Sequence, residues 1–203
     1  EEEIQAEEDA QMAAATQSAA EAVSATELEL LEKMTQIAES TRHRPDGRVK
    51  KLIEWIQQNQ CPDLGQPGAR WNNRRVLIFT EYTDTKRYLE HQLQQAIALS
   101  DRERERIDAF TGGMGDEQRE RVKSAFNADP QYHPLRILIA TDAAREGVNL
   151  QNHCADLFHF DVPWNPSRME QRNGRIDRKL QRKSEVRCHY FYLAQRPEDR
   201  VID

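Results

Sequence analysis

The sequence predicts a doubly wound α/β domain, a mostly parallel sheet with helices on both faces, preceded by an acidic N-terminal helix. Three observations carry this. From residue 76 onward, short apolar runs alternate with longer segments of helical periodicity, the pattern of crossover connections between parallel strands. Small or polar residues stand directly after several of the apolar runs, as they do where strands end at a ligand-bearing edge. Residues 1–40 contain no Gly or Pro and are rich in Glu, Ala and Gln, which favour helix by propensity alone.

In that N-terminal stretch the apolar residues cluster only after Thr26, so the helix is expected to be anchored over residues 26–39 and frayed or exposed before them. Residues 41–48 break the pattern, which sets a boundary between an acidic helical extension, 1–45, and a main domain, 46–203. The main domain opens with a helix that Asp46 can cap and on which Val49, Leu52, Ile53 and Ile56 fall at helical spacing. Pro62, Gly65, Pro67 and Gly68 mark 60–73 as loop. The expected order is then strand Val76–Phe79, helix Asp84–Ile97, strand Arg106–Phe110, helix Asp116–Asn127 and strand Arg136–Ala140. Strand Asp156–Phe160, helix Ser167–Ile176 and strand Val186–Leu193 follow.

Of the 203 residues, 32% are charged, and the formal net charge of -6 averages two unlike parts. Residues 1–40 hold eleven acidic side chains against Lys33 alone, a charge of -10, so the remaining 28 basic and 24 acidic residues leave +4. No apolar run approaches the roughly 18 residues of a membrane helix, and no secretory leader is visible. Cys61, Cys154 and Cys188 lack the paired spacing of a disulfide framework or zinc site. Cys154 and Cys188 read as buried apolar residues and His159 as a packed core residue, and the six histidines show no metal-ligand spacing. A soluble protein of a reducing cytoplasm, with no metal site of its own, is expected.

The chemistry lies beyond the strand ends. Thr80 follows Phe79, Thr111-Gly112-Gly113 follow Phe110, Thr141-Asp142 follow Ala140, and Asp161-Val162-Pro163-Trp164 follow Phe160. Hydroxyls and unshielded backbone N–H groups reach anionic oxygens, and a row of them suits a row of phosphates. Any one such threonine equally suits a cap or turn. The second feature is Gln171-Arg172-Asn173-Gly174-Arg175-Ile176-Asp177-Arg178, within 168–187, where eight basic side chains face three acidic ones. On a continuous helix Arg172, Arg175 and Arg178 would share one face. Fixed guanidinium forks suit a polyphosphate; a solvated basic face is the plain alternative.

The order Thr80, TGGM (111–114), ATDAAREGVNLQ (140–151) and FDVPWNPSRMEQRNGRIDR (160–178) resembles the C-terminal RecA-like lobe of superfamily-two helicases. FDVPWNP with EQRNGRIDR looks most like the Swi/Snf class of ATP-driven translocases, in its bacterial branch containing the RNA-polymerase-recycling ATPase. The resemblance spans about residues 46–196. Lys179-Leu180-Gln181 after Arg178, and Ala144-Arg145-Glu146-Gly147, differ from the chromatin remodellers and favour a bacterial protein over a nucleosome-directed one.

The resemblance implies roles by position. Arg175 and Arg178 would be arginine fingers on the γ-phosphate, with Gln171, Glu146 and Gly147 at the nucleotide. Thr80, Thr111, Gly112 and Thr141 would grip nucleic-acid phosphates, with duplex DNA the expected partner. Asp142, Trp164 and Asn165 would couple the two sites, although core packing also accounts for Trp164. ATP and Mg²⁺ would be held mainly by an N-terminal RecA-like lobe, because neither a G-x-x-x-x-G-K-[ST] loop nor its acidic Mg²⁺-binding pair occurs here. The chain alone is therefore expected to be inactive, and its acidic helix to be an accessory element or protein-partner surface. A strand-separating helicase lobe and a non-catalytic α/β nucleotide- or partner-binding module are the alternatives.

Overall fold

A computed structural model describes residues 24–41, 44–142, 149–179 and 181–192. The chain divides into two units, Glu1–Arg44 and Pro45–Asp203. In the first, helix α1 spans Ala25–Thr41. It starts at a reciprocal cap in which Ser24 N–H donates to Glu27 Oε2 at 2.7 Å and Glu27 N–H donates to Ser24 Oγ at 3.3 Å. The expected anchoring is absent. No residue of α1 is buried, and Leu28, Leu31, Met34 and Ile37 are exposed.

The second unit is built on five parallel strands: β1 Arg75–Thr80, β2 Ile107–Phe110, β3 Ile137–Thr141, β4 Cys154–His159 and β5 Arg187–Tyr190. Their order is β2-β3-β1-β4-β5, with β1 central and fully buried. The order is non-sequential because the connections after β1 and β2 are helices: α3 (Thr83–Ile97) carries the chain out to the edge, and α4 (Asp116–Asn127) carries it back. Helix α2 (Gly47–Asn59) precedes β1, and short α5 (Pro166–Asn173) follows β4.

Alternation along the strands sorts the core into two clusters. Val76, Ile78, Ile137 and Ile139 meet Val49, Leu52 and Ile56 of α2 and Leu89 and Leu93 of α3. Leu77, Phe79, Leu138 and Ala140 meet Val122 and Phe126 of α4, and Ile176. Helices thus cover both faces, as expected for near-continuous apolar strands that must be buried on each side. Asp46 does cap α2, its Oδ1 accepting from Val49 N–H at 2.8 Å.

Several boundaries differ from expectation by one or two residues, and two elements differ by three. The last helix ends at Asn173 instead of Ile176, and Gly174 to Lys179 continue as turns. Strand β5 is shorter than expected, and Leu193 lies outside the described residues. The register pairs Thr80 with Thr141 and Phe79 with His159, so three strands finish level and present their carboxyl ends on one edge.

Candidate functional site

At that edge an ion-pair network joins β1, β3, β4 and α5. Helix α5 begins at Asn165, whose Oδ1 accepts from Ser167 N–H at 3.0 Å, with Pro166 at the first helical position. This start fixes where the next two turns point, and it delivers Arg172 inward, 1% exposed. Arg172 Nε and Nη2 donate to both oxygens of Asp142 at 2.7 and 2.8 Å. Nη1 donates to the Asp161 carbonyl at 2.8 Å, and Nη2 also to Asp161 Oδ1 at 3.3 Å. The guanidinium lies 5.5 Å from the centre of the Phe79 ring.

Asp161 extends the network. It accepts from the Thr80 hydroxyl and from Glu81 N–H at 2.9 and 3.0 Å. Glu81 in turn accepts from Arg168 Nη1 at 2.7 Å. Beneath it His159 Nε2 donates to Asn173 Oδ1 at 2.8 Å, while its Nδ1 is buried with no partner among the described residues. Burial lowers the His159 pKa below the usual histidine value, which the Asn173 hydrogen bond opposes and the Arg172 charge reinforces.

The sequence-expected residues fall into three groups. Thr80 and Thr141 stand side by side at 0% and 4% exposure, and the Thr80 hydroxyl is committed to Asp161. Neither presents its hydroxyl to solvent here, because level, fully packed strands enclose their last residues. Thr111 and Gly112 are half-buried in the turn after β2: Thr111 N–H meets Met114 Sδ at 3.2 Å, and Arg119 Nη2 donates to Gly112 O at 3.1 Å. Asp142 is buried against Arg172, Asn165 caps α5, and Gln171 is exposed. Trp164 is 96% exposed, which overturns core packing for that ring. Glu146 and Gly147 lie outside the described residues.

Because α5 ends early, Arg172, Arg175 and Arg178 do not share one helical face. Gly174 has φ -62° and needs no left-handed freedom; a Cβ there would lie 3.3 Å from Glu170 O. The turn beyond it is tied down by Leu150 N–H donating to Arg175 O at 3.1 Å. Arg175 is half-buried and has no carboxylate partner among the described residues. Burial, and then the neighbouring Arg178 charge, lower its pKa. Arg178 is exposed, donating to Gly174 O at 2.5 Å and to the Asn149 side chain. Two adjacent guanidiniums without a described counter-charge fit a polyanion such as a triphosphate. No group of three His, Cys, Asp or Glu suited to a metal ion occurs among the described residues.

Reading the sequence missed Asp161, Glu81 and Arg168 as site-builders. An aspartate directly after a strand and an arginine early in the basic helix were visible, but nothing local says that each meets Glu81, Asp161 across 80 residues and Arg168 across 87. Cys154 and His159 are buried as expected, the Cys154 thiol pushed up to about 12 by burial. Cys188 is only half-buried.

The helicase conserved C-terminal domain family matches residues 51–179. The chain belongs to this family. It is similar to the "uncharacterized ATP-dependent helicase YqhH" of Bacillus subtilis (strain 168), 39% identical over 120 residues, or 59% of this chain and 19% of that protein. The chain thus aligns with about a fifth of that relative's length. Among solved structures it resembles the C-terminal part of the Fun30 ATPase domain, with TM-score 0.58, 21% identity, and coverage of 81% of this chain and 49% of that one. It also resembles domain 2 of the DEAD-box helicase Mss116p bound to an RNA duplex, with TM-score 0.51, 19% identity, and 70% and 47% coverage. These likenesses give the helicase C-terminal domain its RecA-like fold. No helix among the described residues is long and apolar enough to cross a membrane.

Proposed function

We propose that this helicase C-terminal domain is half of an ATP-dependent nucleic-acid translocase of the Swi/Snf class, tracking duplex DNA. Arg175 and Arg178 act as arginine fingers on ATP held by an N-terminal RecA-like lobe. The observation that supports this reading is the contrast within one basic run. Arg172 is buried and neutralised by Asp142 and Asp161, whereas Arg175, three residues on, is half-buried with no described carboxylate beside it. A cation left uncompensated in a partly desolvated position gains most from an arriving anion.

In this mechanism Arg175 and Arg178 meet the charge that grows on the transferring phosphoryl group, worth roughly 10³–10⁵ in rate for such fingers. Mg²⁺, held mainly by the other lobe, neutralises phosphate charge when bound; Gln171, Glu146 and Gly147 complete the nucleotide side. Thr111 and Gly112 contact backbone phosphates from the half-buried turn after β2. Thr80 joins them only if its hydrogen bond to Asp161 opens, and Thr141, beside it at the end of β3, contacts the same phosphate backbone. Asp142 and Asn165 couple the sites by fixing α5 relative to β3. Trp164, whose ring is exposed, meets nucleic acid or the other lobe, and the acidic helix meets a protein partner. Bacterial cytoplasm is the proposed location.

The test compares ATPase activity of the full-length protein with that of this chain alone, each with duplex DNA, single-stranded DNA and RNA at fixed salt. The proposal expects duplex-stimulated turnover in the former and none in the latter. Turnover by the isolated chain would contradict the half-site reading, and strand displacement would assign it to unwinding.

A further inference from the structure

A cleft of about 470 Å³ opens on the opposite edge of the sheet, where β1, β4 and β5 begin. Its volume falls within the range of small-molecule sites. Arg74, Arg75, His153, Lys183 and Arg187 contribute to its walls, with Asp156 and Glu185 as the acidic groups. Both carboxylates are already engaged. Arg74 holds Asp156 through Nε and Nη2 at 2.7 Å each, with His189 Nε2 at 3.3 Å, and Arg187 Nη2 holds Glu185 at 2.8 Å. Exposed Lys183 has no carboxylate partner among the described residues.

The floor adds charge that is not balanced locally. Arg75 is 0% exposed and donates to the carbonyls of Leu135, Phe126 and Ala128 at 3.0, 2.6 and 2.5 Å. Carbonyls satisfy its N–H groups without cancelling its charge; the negative end of α4 offsets about half an elementary charge. Behind Asn72 and Asn73, which also line the cleft, Arg136 is 4% exposed and again bonded to carbonyls, those of Asn72, His133 and Pro130 at 2.6, 2.6 and 2.7 Å. Burial lowers both guanidiniums to about 10. The same field reaches His153, whose pKa is lowered first by burial and then by Arg75 and Arg182, with Asp129 opposing and Lys183 adding.

We propose that this cleft is an anion site for the phosphate chain of a small polyphosphate, separate from the strand-end site. A single concave pocket with buried positive charge beneath it fits a compact anion better than a duplex, whose phosphates form a long convex row. Lys183 and Arg187 at the mouth make the direct contacts, and the buried arginines supply field.

The test is calorimetric titration of inorganic tripolyphosphate into the whole chain at about 0.15 M salt. The expected result is one tight site whose affinity falls at least about tenfold in the double variant Lys183→Glu/Arg187→Glu. Both positions are exposed, and an unchanged melting curve confirms the fold. The double variant Arg175→Ala/Arg178→Ala, which removes the strand-end guanidiniums, should keep this tight site at the parent's affinity and lose only any weaker second event. Undiminished binding in the charge-reversed protein, loss in the Arg175/Arg178 variant instead, or no binding at all would each overturn the proposal. Duplex DNA binding that depends on Lys183 and Arg187 without tripolyphosphate binding would overturn it in favour of a nucleic-acid backbone.

Discussion

Arg172 and Arg175 are three residues apart and chemically identical, yet their surroundings set them to different work. Arg172 is enclosed with Asp142 and Asp161, so removing its side chain breaks a buried ion pair and takes the guanidinium from both carboxylates. Arg172→Ala should therefore cost about 3–5 kcal/mol in urea unfolding, whereas Arg178→Ala, at an exposed position, should cost under about 1 kcal/mol. Equal effects would contradict the division of labour. His159 gives a pH signature. Its neutral ring donates from Nε2, and a second proton would place a buried N–H where Nδ1 has no partner among the described residues, with the Arg172 charge nearby. Unfolded histidine, with its ordinary value of 6.5, binds a proton that folded His159 does not. Its contribution is thus complete above that value and declines as pH falls below it. His159→Gln should flatten the stability profile between about pH 7 and 5; an unchanged slope would show that His133 or His153, lowered as well, carries the effect.

Among the elements, α5 is the one whose placement the site depends on. Asn165 caps it, and eight residues leave little helix to compensate for a lost cap. Asn165→Ala should cost about 1 kcal/mol, while Asn165→Asp should be nearly neutral; hydrogen exchange of the α5 amides would register the difference, and equal protection in the two variants would discount the cap. The elements themselves were largely legible in the sequence. The strands are apolar runs with no competing periodicity, and α4 was bounded at Asp116 and Asn127 as observed. Where the reading failed, non-local contacts decided. The expected strand began at Val76, but carbonyls at the end of α4 accept the N–H groups of Arg75 and let it begin β1. The step of three from Arg172 to Arg178 suggested one face, but α5 ends at Asn173. Trp164 looked like core by its chemistry and stands exposed between β4 and α5. Helix α1 formed within the stretch its composition predicts, starting at a Ser24–Glu27 cap that the reading did not include, and without burying its apolar residues.

On the scale of the whole molecule, charge is divided along the chain, -10 in residues 1–40 and +4 in the rest. The mean of -6 argues against a polyanionic partner, but it belongs to the N-terminal unit. Deleting residues 1–40 should leave the second unit folded and strengthen nonspecific DNA binding, most visibly at low salt where long-range repulsion is least screened. Unchanged affinity would show that the acidic stretch has no electrostatic bearing on binding. In the proposed function the domain's own chemistry rests on the guanidiniums beyond α5 that have no carboxylate partner among the described residues. The most direct measurement is duplex-stimulated ATPase of the full-length protein carrying Arg175→Ala, with ATP binding measured in parallel. The fingers predict turnover reduced by roughly 10³ or more with ATP affinity nearly intact; hydrolysis at the parent rate would contradict them.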